Sequence, residues 1–136
     1  MQTEVIYGFG FEVTDIEEGT LFDFIKNHKT AALKNKLLIP NNNTIYPETR
    51  CTVTETEGLN ASIQNIMQTE TSIDFEFRIE QETEKEFIIL HECMPWMYNT
   101  AEIALTEESL TQICKKYMSE LNINEDPTNI RLEYFE

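Results

Sequence analysis

The sequence predicts an α+β protein: one domain over residues 1–136, a mostly antiparallel sheet, with two main helices and one short helix packed on one face. Three observations predict it. Apolar residues alternate with period two in "EVIYGFGFEV", "SIDFEFRIE" and "IRLEYFE", as half-buried strands do. Between these stretches, "LFDFIKNHKTA" and "LTQICKKYMSEL" repeat apolar residues at helical spacing. No linker, repeat or low-complexity tract interrupts the 136 residues, a length that fits one domain burying roughly two-thirds of its extended surface.

Taken in order, the first strand places Val5, Tyr7, Phe9, Phe11 and Val13 on one face and Glu4, Ile6, Gly8, Gly10 and Glu12 on the other. The odd face is expected to enter the core. From Thr20, a plausible N-cap with Asp23 three residues on, Leu21, Phe24, Ile25, His28 and Ala32 form one helical stripe running to about Lys36. "LLIPNNNTIYP" reads as a loop, and "ETRCTVTETEG" stays ambiguous. "LNASIQNIMQ" carries Leu59, Ile63, Ile66 and Met67 at the spacing of a short helix. "SIDFEFRIE" and "EFIILHE", joined by about five polar residues, read as an antiparallel hairpin. "CMPWMYNTAEIAL" is irregular or extended. A helix then starts at Thr106, with Glu107 and Glu108 suiting its N-terminal dipole, and the last strand turns Ile130, Leu132 and Tyr134 inward.

Composition narrows the function classes. With 40% apolar and 26% charged residues the chain is globular rather than disordered. No apolar run approaches the ~18 residues of a membrane span, and "MQTEVIYGFG" has no signal-peptide pattern. Three cysteines without paired spacing suit a reducing compartment, so a cytoplasmic location is expected and the two N-x-Ser/Thr sequons read as chance. The net charge of −15, from 10 basic and 25 acidic residues, opposes direct binding of DNA or RNA. It suits either a generally acidic protein or one aimed at a basic partner.

Several chemical motifs fail on inspection. "GFGFEV" puts Val13 where a dinucleotide fingerprint needs its third glycine, and there is no phosphate-binding G-x-x-x-x-G-K-Ser/Thr. His91 and Cys93, with Cys51 or His28, lack the paired spacings of structural zinc; Cys114 and His28 lie on apolar helical stripes, where buried core residues belong. A Cys/His nucleophile such as Cys93 with His28 has no local support. No catalytic residue, metal or cofactor is therefore assigned.

Residues 70–86 concentrate acids, with Arg78 and Lys85 among them. Carboxylates at i and i+2 on a strand sit ~6.6 Å apart, similar to successive phosphates of a nucleic-acid strand. The candidate partner-binding residues are Asp74, Glu76, Glu80, Glu82, Glu84 and Glu86, joined by Trp96 and Tyr98 from "CMPWMY", a hot-spot composition. The competing readings are a solvated strand face that discourages edge aggregation, and a lid on the core. Lysines 26, 29, 34 and 36 form a cationic stretch free of acids from 24 to 47.

In size, charge and the acid row "IDFEFRIEQETEKE", the chain resembles the small acidic anti-CRISPR and DNA-mimic inhibitor proteins of phages and other mobile elements. The resemblance is one of general character and transfers no residue role. It implies a basic nucleic-acid-binding protein, such as a nuclease effector, as the partner, and no membrane. An immunity protein or antitoxin facing a cognate toxin is the alternative, followed by a small-molecule-binding domain or enzyme with a pocket at His28, His91 or Cys93. A toxin gene next door would favour the first alternative.

Overall fold

The computed structural model describes residues 3–35, 37, 40–41, 44–45, 60–91, 99–100, 103–104 and 106–135. It is an α+β fold whose chain divides into two compact units, Thr14–Asp74 and the remainder (Met1–Val13 with Phe75–Glu136).

The larger unit is built on β1 (Thr3–Glu12), β4 (Glu76–Ile79), β5 (Glu86–His91) and β8 (Thr128–Phe135). They form one antiparallel sheet in the order β4-β5-β1-β8. β1 is central and long, and it uses its length unevenly. Residues 3–10 pair with β8, whereas residues 8–12 pair with β5. The two pairings overlap only at Gly8, Phe9 and Gly10. Ile6, Phe87, Ile89 and Leu132 form one buried cluster with Ile130 and Tyr134 against it. Ile89 links the two ends of this cluster: it follows Phe87 on the same face of β5, and its side chain reaches over Gly8 towards Ile6 and Leu132.

The two glycines let β5 approach β1 closely. The Ile89 side chain lies over Gly8, where a Cβ would stand 2.8 Å from its Cβ and Cδ1. At Gly10 a Cβ would meet the Ile88 carbonyl oxygen at 1.8 Å, a backbone contact that cannot yield. Glycine inside a strand costs about 0.5–1 kcal/mol, while burying each Ile, Leu or Phe of the cluster contributes about 1.5–3 kcal/mol. Four such side chains outweigh two glycines. The bare track is thus filled by a neighbouring strand of the same unit.

Both faces of β1 are consequently used. Phe9 and Phe11 are buried on the odd face, as expected, but Ile6 is buried on the even face and Tyr7 is 58% exposed, against the expectation that Tyr7 enters the core. The hairpin strand is also shorter than its alternation suggests. β4 covers four residues, Phe75 before it is buried, and Ile79 is 41% exposed. The strand stops because the chain turns at Glu80, whose N–H donates to the Lys85 carbonyl at 2.8 Å.

Helix α4 (Glu107–Glu120) lies against β1 and buries Leu110, Cys114, Tyr117 and Met118. Its start is well specified. Thr106 Oγ1 accepts the Ser109 N–H, and Ser109 Oγ accepts the Thr106 N–H, both at 3.1 Å. A two-stranded ladder, β6 (Asn99–Thr100) with β7 (Ile103–Ala104), lies in the stretch read as irregular or extended.

The smaller unit packs three helices on one another: α1 (Glu18–Asn27), α2 (Lys29–Lys34) and α3 (Ala61–Thr71). The expected long helix starts three residues early, with Glu17 rather than Thr20 at the N-cap position, and breaks at His28, whose ψ of 47° leaves the helical range. The buried His28 ring lies beside Phe24, and its Nδ1 is 2.7 Å from the Glu70 carboxylate on α3. Asn35 Nδ2 donates to Thr69 Oγ1 at 2.7 Å, tying the end of α2 to the same helix. β2 (Pro40–Asn41) pairs with β3 (Thr44–Ile45) inside the segment read as a loop. The ambiguous "ETRCTVTETEG" lies outside the described residues.

Candidate functional site

The β4–β5 turn gathers three of the candidate acids: Glu80, Glu82 and Glu84. Its backbone is fixed from within. The Glu84 N–H donates to the Glu80 carbonyl at 2.9 Å, and the Thr83 hydroxyl donates to the Glu80 carboxylate at 2.5 Å. The Lys85 N–H adds a bond to Thr83 Oγ1 at 3.3 Å. Glu80 is thereby an internal anchor, whereas Glu82 and Glu84 stand exposed at the tip. Glu84 has φ 60°, the left-handed region that favours glycine or asparagine. A carboxylate is displayed there at a conformational cost of about 1–2 kcal/mol.

The other candidates lie apart from the tip. Glu76 is half-buried on β4, and Arg78 Nε and Nη2 hold its Oε2 at 3.1 and 3.0 Å. Glu86 opens β5 opposite Ile79, on the sheet face away from Glu76, and its carbonyl accepts the Val13 N–H at 2.8 Å. Asp74 is exposed at the end of the smaller unit, where its Oδ1 accepts from Gln68 Nε2 at 3.0 Å. The i, i+2 row therefore contains only Glu76 and Arg78 within the strand, one acid and one base. Trp96 and Tyr98 lie outside the described residues.

The charge is unevenly divided. The sheet unit has 16 acidic residues against 5 basic, a net of −11, and the helical unit 9 against 5, a net of −4. The acidic turn belongs to the more anionic part of the chain. Lys26, Lys29 and Lys34 are exposed on α1 and α2 of the other unit.

Two groups on β8 have contacts that the sequence does not indicate. Arg131 on β8 is kept protonated by hydrogen bonds to Tyr7, its register partner on β1, and to Glu133, with which it also forms an ion pair. On the opposite face the Tyr134 hydroxyl is buried without a hydrogen-bond partner among the described residues. Burial pushes its pKa above the ordinary 10, and the nearby Arg78 guanidinium opposes this. Arg78 acts there although its own register row lies eight residues of β1 from that of Tyr134, so the sheet curves between them. Alternation marks Ile130, Leu132 and Tyr134 as inward, but it does not point to Arg78 as the neighbour of Tyr134.

The remaining titratable candidates take structural places. His28 is engaged with Glu70, and Cys114 is fully buried on α4. The His91 backbone lies in β5, while Cys51 and Cys93 lie outside the described residues. Among the described residues no three His, Cys, Asp or Glu side chains gather as a metal set. No described helix is long and apolar enough to cross a membrane. No family model, curated protein or solved structure matches the chain.

Proposed function

We propose that the protein is a small acidic inhibitor which presses the β4–β5 turn onto a basic nucleic-acid-processing protein, such as a nuclease effector, and blocks it. The observation that carries this reading is Glu84. A turn braced by its own hydrogen bonds holds an exposed carboxylate at a left-handed position, beside exposed Glu82. A residue kept at conformational cost on a rigid turn suits display better than folding. The net charge of −11 on the same unit adds long-range attraction for a cationic groove. Contact through a tip would replace phosphates singly, as an anti-CRISPR-like mimic of a short stretch of backbone rather than of a long row.

The test uses E82K/E84K, which leaves the Glu80 anchor in place. Tagged wild-type protein, incubated at low salt with lysate of its native host, should retain a basic nucleic-acid-processing protein and inhibit its activity once purified. Capture should fall as salt rises, because screening shortens to ~3 Å at 1 M. The double reversal should lose both capture and inhibition. Undiminished inhibition by E82K/E84K would remove the turn from the mechanism.

A further inference from the structure

Strand β8 ends the sheet, and no described strand or backbone group bonds to its outer side. An open edge of eight residues invites another strand. We propose that the occupant is a second copy of this chain, paired antiparallel with β8 about Leu132, so that two four-stranded sheets become one of eight.

The residues of β8 are self-complementary in that register alone. Pairing about Leu132 sets Arg131 opposite the second copy's Glu133, and Glu133 opposite the second copy's Arg131. On the other face Ile130 meets the second copy's Tyr134; both are only partly buried within one chain. Sliding by one residue pair in either direction puts Arg131 opposite Arg131 or Glu133 opposite Glu133, and like charges directly opposite are unfavourable. A shift of half that amount sets the apolar face of one strand beside the charged face of the other. Charge and face together select one register.

The edge is also electrically suited to self-contact. β8 carries one base and one acid, a neutral strip on a unit of net charge −11. Arg131 and Glu133 side chains are 52% and 35% exposed, and Tyr7 with the Glu133 carboxylate orients the guanidinium beforehand. β4, at the other edge, offers only four residues, and its Glu76 is taken by Arg78 and further partners. Eight residues of edge make a small interface, so association is weak and rises with concentration.

Charge complementation tests the proposal by sedimentation velocity over a concentration series. Wild type should move from monomer to dimer. R131E alone and E133R alone should each weaken self-association by roughly tenfold or more. Mixing the two should restore a one-to-one dimer, because each then offers the opposite charges. The swapped variant R131E/E133R should dimerise as wild type does and shows that the strand tolerates both changes. The same charges acting only as guards of an edge would give no recovery on mixing. A wild type that stays monomeric throughout, or single variants that do not recombine, would overturn the proposal.

Discussion

Gly10 has no space for even a methyl group, since its Cβ would fall 1.8 Å from the Ile88 carbonyl oxygen. Gly10→Ala must therefore displace the β5 backbone and should cost more than the ~1–3 kcal/mol typical of overpacking, to the point of preventing folding. Gly8→Ala meets only the Ile89 side chain and should stay within that range. Ile89→Ala combined with Gly8→Ala should show less than the sum of the two single costs, as urea denaturation would measure. Tyr134 is the second informative residue. Its folded-state pKa lies above the ordinary 10, so its contribution to stability is complete below that pH and declines as pH rises towards the folded value. Melting temperatures between pH 9 and 11 should fall more steeply for wild type than for Tyr134→Phe. At neutral pH the same substitution removes a hydroxyl that has no hydrogen-bond partner among the described residues, and should be neutral or slightly stabilising.

Among the elements, α4 is the best specified by local chemistry. Thr106→Ala removes the cap of Ser109 and should cost about 1 kcal/mol, read as a lower denaturation midpoint with an unchanged slope. Elements with a strong period were legible: β1, β5, β8, α4 and the buried face of α3 follow their alternation or stripe. The long helix was misread at His28 because its break answers to Glu70, forty-two residues away, and no local spacing encodes that pull. β4 is shorter than its alternation suggests because the pattern continues through Ile73 and Phe75, while ladder pairing begins only at Glu76. The site suffered from the same error. A carboxylate row needs a strand from Asp74 to Glu80, and the turn at Glu80 gives a compact tip in its place. Glu84→Gly separates display from folding: the turn should hold or gain about 1 kcal/mol, while inhibition of the captured partner should fall.

For the molecule as a whole, the order of pairing sets an order of assembly. The centre of the sheet is β1, yet its partners are made late: Phe87–His91 lies some eighty residues on, and Thr128–Phe135 some hundred and twenty to hundred and thirty. The helical unit, 14–74, is synthesised between them from contacts among its own helices. On the ribosome β1 must wait, unpaired, while an entire unit emerges behind it. Closing loops of that size is slow in proportion to the chain entropy surrendered, and it leaves an aromatic, β-prone segment uncovered in the interval. The two glycines acquire a further use in that light. A β1 interrupted by Gly8 and Gly10 is a poor template for the wrong strand, and it becomes a good one only when Ile89 arrives to fill the gap.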